Sequence, residues 1–431
     1  MNYESIEIPG APRSSQAFLP SSATPGQLVN AVVDNHARWF AAKSLALGGE
    51  ARPAPGGGIL AISPHEITLA FPRVREANSG QYVDEFMVLC RERRPDLVGC
   101  WARDPRGYGT LGCHLAARGF EWRWQAQWMA LDLRAIRSDF PTPPGLRIEV
   151  DEHADWEVED LPYYDKRELG ALRALGAARP RRIWHFGAWL DGKPVGHSLL
   201  HLSTGRFGVG GIYNVGVIPD AQNQGIGRAV SLAACYAARK LSANYAVLNA
   251  ATHIYDRIGF KTVGRGQTWW LERERLLHPP SAEEIAFAEA IGTGDLSALE
   301  HASRLPDLDA PLACGLTPIR FAARYRKPAS ARWLASRGAP LRFLDAWDLG
   351  WKREAVRLLK KQPELANLRS GRWQMTPLHV AAERGDEELA KLILTAKPDL
   401  TLCDGEFNGT ALGWARHFNQ AGVAALIEGA E

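Results

Sequence analysis

The final third of the sequence repeats one motif, and this periodicity constrains the fold more than any other feature. The segment TPIRFAARYRKPASARWLASRGA, from Thr317, matches TPLHVAAERGDEELAKLILTAKPDL, from Thr376, and a looser copy, TALGWARHFNQAGVAALIEGA, begins at Thr410. Threonine caps a helix, proline fits the first helical position, and small alanines let neighbouring helices approach closely. The pattern therefore predicts a stack of helix pairs that forms an all-α solenoid.

Two weaker copies, FAEAIGTGDLSALEHA and LDAWDLGWKREAVRLL, complete an array of about five repeats over residues 281–431. This block resembles ankyrin repeats. The TPLH signature occurs once, at Thr376–His379, so His379 is expected to be a structural residue and not a ligand. The resemblance implies a surface for a partner protein or for self-association.

Length and composition limit the remaining alternatives. A chain of 431 residues is too long for one ordinary core, and its 46% hydrophobic and 23% charged residues are typical of a globular protein. Lys and Arg number 51 against 48 Asp and Glu, which gives no reason to expect nucleic acid or a membrane as partner. No membrane-length apolar run and no signal peptide are evident in the sequence.

Cysteine usage favours a reduced, cytoplasmic protein without a metal site, because no pair has ligand spacing. The cysteines are expected to be small buried hydrophobic residues: Cys90, Cys100, Cys113, Cys235, Cys314 and Cys403. Pro-rich linkers at Pro141–Gly145 and at His278 divide the chain. We predict an extended N-terminal arm over 1–26, α/β units over 27–140 and 141–277, and then the repeat block.

The two α/β units resemble each other in sequence. RGFEWRWQAQWMALDL and IGFKTVGRGQTWWLER share Gly-Phe and a glutamine seven residues after the phenylalanine, at Gln127 and Gln267. FPRVREANSGQYV also aligns with IPDAQNQGIGRAV, with Asn78 in place of Gly225. The pattern indicates a duplicated fold whose first copy lost its loop chemistry, and chance similarity of two α/β units is the alternative.

The loop IPDAQNQGIGRAV lies between an apolar strand and a helix. Helix N-termini present unpaired N–H groups and partial positive charge, and glycine at Gly225 and Gly227 removes side chains that would block a phosphate. Pro219 ends the strand, while Gln222 and Asn223 offer polar contacts at the rim. Neither a Gly-Lys-Ser/Thr loop nor a GxGxxG fingerprint is present, so the loop predicts a pyrophosphate site of another type.

The pattern Gln-x-x-Gly-x-Gly after a V-x-V-x-P strand resembles the acetyl-coenzyme A loop of the GNAT acetyltransferase superfamily. LNAATHIYDRIGF resembles the second signature of this family, with Tyr255 four residues before Gly259, although the segment between Ala250 and Tyr255 is shorter than in many relatives. The resemblance is clear over 141–277 and weak over 27–140. It implies a tandem GNAT protein, two mixed-sheet α/β units of which the second is active.

The resemblance also implies roles for particular residues in an acetyl-CoA-dependent N-acetyltransferase. The main chain of Val215 and Val217 would pair with the pantetheine arm, Asn249 would lie near the thioester, and Tyr255 would protonate the departing thiolate. The amine would attack the thioester directly, without an acyl-enzyme. The implied coenzyme contacts are Val215, Gly216, Val217, Gln222, Asn223, Gln224, Gly225, Ile226, Gly227, Arg228 and Asn249.

The sequence gives no clear general base, because Tyr213 and Asn214 stand where many relatives place a carboxylate. His197 and His201 share one strand face, and one of them could reach the cleft; a packed or surface histidine is the alternative. The acidic stretch DEHADWEVEDLPYYD falls where the family builds its acceptor wall and would suit a cationic acceptor, unless it is a solvated face. Candidate acceptor contacts are Tyr213, Asn214, Trp156, Glu157, Asp160, Tyr163 and Tyr164.

Two functions remain at this stage. The first is an N-acetyltransferase that acts on a small or peptidic amine, compatible with inactivation of an antibiotic or toxin, with the repeats as dimerisation element, lid or part of the acceptor pocket. The second is a binding protein whose repeats hold a partner while the GNAT portion acetylates a lysine of that partner or only senses acyl-CoA. The intact glycine loop favours the first, and the missing base keeps the second open.

Overall fold

The computed structural model describes residues 1–11, 17–103, 109–123, 125, 127–250, 254–301 and 306–430. The strands are β1 Glu50–Ala54, β2 Gly58–Ile62, β3 Glu66–Ala70, β4 Leu97–Ala102, β5 Glu121–Trp122, β6 Gln127–Asp132, β7 Arg147–Val150, β8 Ile183–Leu190, β9 Lys193–Leu202, β10 Gly210–Val217, β11 Tyr245–Ala250, β12 Lys261–Arg265 and β13 Gln267–Glu272. The helices are α1 Pro25–Ala46, α2 Ser79–Arg93, α3 Thr110–Ala117, α4 Leu169–Ala177, α5 Ile226–Lys240, α6 Ile254–Arg257, α7 Arg273–Leu277, α8 Ala282–Thr293, α9 Leu296–Glu300, α10 Pro318–Arg324, α11 Pro328–Ser336, α12 Phe343–Asp348, α13 Lys352–Lys361, α14 Pro377–Arg384, α15 Glu387–Leu394, α16 Ala411–His417 and α17 Ala421–Glu428.

The chain divides into two compact units, each assembled from three stretches of sequence. Unit 1 contains Met1–Val74, Glu92–Pro105 and Arg123–Thr268, and unit 2 contains Arg75–Arg91, Arg106–Trp122 and Trp269–Glu431. The chain therefore enters unit 2 twice before the repeat block begins. The units do not follow the predicted contiguous boundaries at residues 140 and 277.

The largest sheet of unit 1 has seven strands in the order β12-β6-β11-β10-β9-β8-β7. Strands β10 and β11 run parallel, and the other neighbouring pairs are antiparallel. The predicted turn at Asp191-Gly192 joins β8 to β9, and both residues have positive φ, as a tight hairpin turn requires. The α/β class predicted for this part of the chain is confirmed.

Helices cover both faces of this sheet. Leu200 belongs to the core beneath α5, whereas its neighbour Leu199 packs with Trp39 of α1, so the two helices lie on opposite faces. Two adjacent glycines permit this close approach. A Cβ at Gly210 would overlap a side chain of α5, and a Cβ at Gly211 would overlap a side chain of α1.

The duplication predicted from the sequence is visible in the order of elements. Each copy contains two antiparallel strands, a helix and a strand parallel to the previous one, namely β2-β3-α2-β4 and β9-β10-α5-β11. The last strands of the copies, however, are displaced. Strand β6, from the first segment, lies between β11 and β12, while β13, from the second, pairs with β5 through Trp269 and Trp122. This displacement explains why the compact units cross the predicted boundaries.

The N-terminal residues lie against unit 1. Tyr3 stacks on Tyr236 of α5 at 5.2 Å, and the main-chain N–H of Leu19 donates to Gly208 at 2.9 Å. Thr24 then begins α1 by accepting a hydrogen bond from the N–H of Gln27, whose side chain bonds back to Thr24. The predicted arm is thus held to the surface by both of its described parts.

In unit 2 the described helices α8 to α17 form five successive pairs, which confirms the all-α block. Thr376 caps α14, and His379 bonds the Thr376 hydroxyl at 2.7 Å and donates from Nε2 to the main-chain oxygen of Gly409 at 2.9 Å. His379 thus joins two repeats, which is a structural role. Thr410 caps α16 by accepting from the N–H of Gly413.

The array begins on a helix from the first copy of the duplicated fold. Helix α3 packs on α8, and the hydroxyl of Tyr325 donates to the main-chain oxygen of Gly112 at 2.8 Å. The buried guanidinium of Arg118 bridges Asp84 at 2.7 Å and Glu289 at 2.5 Å. Terminal repeats of a solenoid need a cover for their exposed core. Helix α3 supplies this cover.

Candidate functional site

The pairing of β10 with β11 stops before either strand ends, and the place where they part is here termed the opening. The parallel ladder joins only Gly210–Ile212 to Ala246–Leu248, and β10 continues to Val217 without a further ladder partner on β11 among the described residues. The divergence follows a bulge on the β9 side, where the pairing slips between Tyr213 and Gly216. At this bulge Asn214 has a φ of 50°. The main-chain edge of Val215 and Val217 therefore lies beside the opening.

Helix α5 begins at the end of this strand, and no side chain caps it. Gly225 is the N-cap residue with a φ of 85°, and its carbonyl accepts from the N–H of Ala229. A Cβ at this position would lie 3.1 Å from the Arg228 guanidinium and 3.2 Å from the main-chain oxygen of Pro141. Glycine is therefore required by both the backbone angle and the neighbours. The N–H groups of the first helical turn have no intrahelical acceptor and can hold an anion.

Side chains of the loop mainly stabilise the loop itself. The amide of Gln222 donates to the main-chain oxygen of Val217 at 3.2 Å, and that of Gln224 donates to Asp220 at 3.3 Å. Arg228 lies 4.3 Å from the ring of Phe140. The cation is thereby held next to the helix N-terminus, where it adds to the positive potential.

The corresponding helix of the first copy lacks this arrangement. Asn78, aligned with Gly225, ends a short 3₁₀ turn, and the Ser79 hydroxyl donates to the main-chain oxygen of Glu76. A Cβ at Gly80 would lie 3.2 Å from the ring of His114. The imidazole therefore lies close to the helix N-terminus, in agreement with the predicted loss of loop chemistry.

Asn249 lies on β11 beside the opening, paired with Trp128 of β6. Its Oδ1 is buried and has no hydrogen-bond partner among the described residues. An unsatisfied buried acceptor is costly, at about 1–3 kcal/mol. An amide N–H, such as those of a pantetheine arm, would satisfy it.

Tyr255 lies on α6, with its ring 5.9 Å from that of Phe260. Burial raises the pKa of its phenol far above the usual value, and a hydrogen bond with Ser231 of α5 acts in the opposite direction. The phenol therefore keeps its proton at neutral pH. Residues 251–253, which include the shortened segment noted above, lie outside the described residues.

Six of the seven candidate acceptor residues fall into two groups, and the seventh, Asn214, lies at the bulge of β10. Trp156 and Tyr164 are 8% exposed each and stack at 5.3 Å. Tyr213 is partly buried against α1, where its ring stacks on Trp39 and its hydroxyl donates to Asn35 at 2.7 Å. Their rings therefore pack the interior and do not form an open wall. The exposed members belong to residues 155–164, here termed the acceptor loop: Glu157, Asp160 and Tyr163.

Neither histidine considered as a base is free to act as one. Burial lowers the pKa of His201 to about 3, and its ring packs 6.1 Å from Trp39. His197 is fully buried and bonded at both ring nitrogens, to His185 at 3.2 Å and to the main-chain oxygen of Pro162 at 2.8 Å. His185 was not predicted from the sequence. The hairpin turn fixes the register of β8 and β9, so the turn was the signal that could have placed it near His197.

Some kinds of site are lacking in the part of the chain that the structure describes. Within these ranges, no group of three or more His, Cys, Asp or Glu side chains is placed to hold a metal ion. Within the same ranges, no helix has both the length and the apolar character needed to cross a bilayer. Five of the six cysteines are buried, Cys403 is partly exposed, and all are free thiols.

Two sequence families match parts of the chain. The model of the acetyltransferase (GNAT) family matches residues 133–260, and that of the ankyrin repeat matches residues 373–405. The first match contains the glycine loop and Tyr255, and the second contains the TPLH signature. No curated protein matches the chain.

Solved structures similar to the chain include three GNAT proteins. A GCN5-related N-acetyltransferase from Kribbella flavida is 17% identical, covers 54% of this chain and 94% of its own, and has a TM-score of 0.39. One from Sphaerobacter thermophilus is 19% identical, covers 59% and 97%, and has a TM-score of 0.37. A tandem GNAT protein from the clavulanic acid biosynthesis pathway is 16% identical, covers 60% and 98%, and has a TM-score of 0.35.

Proposed function

We propose that this chain transfers an acetyl group from acetyl-CoA to the amine of a small or peptidic acceptor, and the match of residues 133–260 to the acetyltransferase (GNAT) family supports this. The observation that carries the proposal is the opening between β10 and β11, which leads to the uncapped N-terminus of α5. This sequence of features fits a pantetheine arm followed by a pyrophosphate.

The described residues suit this co-substrate in three respects. The strand edge at Val215 and Val217 offers main-chain groups to the amides of the arm. Asn249 Oδ1 lacks a partner beside that edge among the described residues. The first turn of α5, with Arg228 next to it, offers N–H groups and positive charge to the phosphates.

When bound, acetyl-CoA would supply an activated acyl group and a thiol leaving group. Tyr255 is the proposed general acid, since its buried phenol keeps a proton that it can donate to sulfur. A main-chain N–H of β10 near the bulge would polarise the carbonyl oxygen. Strand β10 carries no carboxylate, so we assign removal of the amine proton to water at the exposed acceptor loop.

The acceptor is proposed to approach along the acceptor loop. Glu157, Asp160 and Tyr163 are exposed there, and the carboxylates would attract a cationic amine. Other carboxylates of the same stretch are already paired, Asp151 with His185 and Glu152 with Arg181. The exposed carboxylates of the acceptor loop, namely Asp155, Glu157, Glu159 and Asp160, are therefore the part of the acidic stretch that is proposed to select the acceptor.

A second candidate is the same transfer to a lysine of a partner protein held by the repeats. The observation in its favour is the side chain of Phe407, which is 67% exposed and lies 6.1 Å from the ring of Trp373. Aromatic residues are enriched in protein interfaces relative to the rest of the surface.

Calorimetry with acetyl-CoA, followed by thiol release with spermidine, phenethylamine, kanamycin and a lysine peptide, tests the proposal. Saturable binding of acetyl-CoA and turnover with a small amine are expected. Binding without turnover on any of these amines would favour the second candidate. Failure to bind acetyl-CoA would refute both.

A further inference from the structure

Three buried side chains that the proposed transfer does not use form a hydrogen-bonded row. Asp151 Oδ2 lies 3.1 Å from His185 Nδ1, and His185 Nε2 lies 3.2 Å from His197 Nδ1. The row ends where His197 Nε2 meets the main-chain oxygen of Pro162 at 2.8 Å. It therefore runs from the end of β7, across β8 and β9, to the acceptor loop.

Counting donors along the row gives the direction of the hydrogen bonds at His197. The Pro162 carbonyl can only accept, so His197 Nε2 carries a hydrogen. Burial and, to a smaller extent, His185 lower the pKa of His197 to about 3, so this ring is neutral and its Nδ1 accepts from His185. Burial raises the pKa of Asp151, but the hydrogen bonds to it outweigh this and keep it ionised.

The two ring nitrogens of His185 face His197 Nδ1 on one side and the Asp151 carboxylate on the other. The row sets one geometry at its far end, since each hydrogen bond orients the next.

That far end holds the acceptor loop against the bulge of β10. A Cβ at Gly216 would overlap the main-chain oxygen of Pro162, so only glycine permits this contact. The next carbonyl, that of Tyr163, accepts from the Asn214 side chain at 3.5 Å. The loop is thereby fixed to the strand edge proposed to hold the pantetheine arm.

Tyr163 is unusual in both backbone and side chain. Its φ is 63°, a left-handed angle that costs a non-glycine residue roughly 1–2 kcal/mol, and its side chain is 68% exposed. Strain of this kind persists where the surroundings hold the residue in place.

We propose that His197 is a positioning residue that holds Pro162, and through it Tyr163, beside the reacting thioester, where the ring of Tyr163 contacts the acceptor. This inference rests on the proposed function for the position of the thioester. The ring face of tyrosine attracts an ammonium group, and Glu157 and Asp160 lie on the same loop. The site is therefore assigned to a cationic amine, for which spermidine is the probe.

Two variants of His197 separate this role from simple packing. His197→Asn places an oxygen near the former Nδ1, which satisfies His185, but cannot reach Pro162. His197→Gln places an N–H near the former Nε2, which still reaches Pro162, but leaves His185 without its acceptor. If the contact with Pro162 positions the acceptor, His197→Asn should raise the KM for spermidine about fivefold, the equivalent of one hydrogen bond. His197→Gln should keep the KM near the wild-type value.

Further measurements test whether His197 acts through Tyr163. Tyr163→Ala alone is expected to raise the spermidine KM at least as much as His197→Asn, and the double variant no further than Tyr163→Ala. The dissociation constant for acetyl-CoA should be unchanged in each. Equal effects of the Asn and Gln variants, or additive effects in the double variant, would overturn the proposal.

A readout that needs no turnover separates this proposal from the proposed function. A Glu-specific protease cleaves after the exposed Glu157 and Glu159 in the acceptor loop, and cleavage should be several-fold faster in His197→Asn than in the wild type or His197→Gln. This ordering tests whether His197 holds the acceptor loop, even if the wild type fails to bind acetyl-CoA. Such a failure would refute only the proposed function. Equal cleavage rates would refute the proposal that His197 holds the acceptor loop.

Discussion

Replacing Gly225 by glutamate is the most direct test of the anion site at α5. The new carboxylate would lie at the helix N-terminus, where the co-substrate phosphates are proposed to bind. Two unit charges 4 Å apart repel by about 4 kcal/mol at an effective dielectric constant of 20. Each 1.4 kcal/mol is a factor of ten in affinity, so Gly225→Glu should weaken acetyl-CoA binding by roughly 10³-fold.

The substitution also strains the backbone, and this effect needs a matched control. Gly225 has a φ of 85°, and Gly48, in the same unit, has a φ of 77° with no heavy atom within 4 Å of where a Cβ would lie. Glutamate at either position should lower the free energy of unfolding by roughly 1–2 kcal/mol. Only Gly225→Glu should lose the co-substrate.

Calorimetric titration with acetyl-CoA and urea denaturation of the same preparations provide the two measurements. Wild-type affinity in Gly225→Glu would refute the assignment of the pyrophosphate to this helix. Equal loss of affinity in Gly48→Glu would show that strain, and not charge, is responsible.

Three further predictions concern other parts of the molecule. Tyr255→Phe should lower kcat by about 10²-fold or more and leave the affinity for acetyl-CoA unchanged. The protonated phenol is the active form and its pKa is raised, so the contribution of Tyr255 to kcat should persist above pH 10. A pH profile of kcat checks this. Asn249→Leu removes a buried oxygen without a partner among the described residues, so the free energy of unfolding should stay or rise by about 1 kcal/mol while calorimetry shows weaker acetyl-CoA binding. Glu289→Gln leaves the buried guanidinium of Arg118 with one carboxylate, the more exposed Asp84, beside the main-chain oxygen of His114, and should destabilise unit 2 by about 3 kcal/mol in urea, without loss of acetyl-CoA affinity.

Local features of the site were predictable because they depend on neighbouring residues in the chain. A glycine is needed where the backbone turns into α5, and Gly225 takes the left-handed angle that other residues avoid. Thr376 caps α14, and His379 is structural, for similarly local reasons. The roles of Tyr255 and the acceptor residues in catalysis stay predictions.

The acceptor residues show where local inference fails. Tyr164 and Trp156 have the composition of an exposed wall, yet they stack on each other in a buried cluster. Tyr213 lies on strand β10 of the site, but its ring packs against α1, which comes from a distant part of the chain. Its hydroxyl donates a hydrogen bond to Asn35 of that helix. Burial of these rings depends on which helix packs on the sheet, and periodicity along one strand cannot reveal that.

The sequence by itself determined the glycine loop, the helix pairs and the duplicated order of elements, because backbone angles, caps and alternation are properties of short segments. The tertiary structure alone decided that β6 lies in the sheet of the second copy, that α3 covers the first repeat, and that Asp151, His185 and His197 form one row. Each of these depends on contacts between segments far apart in the chain. Such contacts are selected by the free energy of the whole packed unit and have no signature in any one segment.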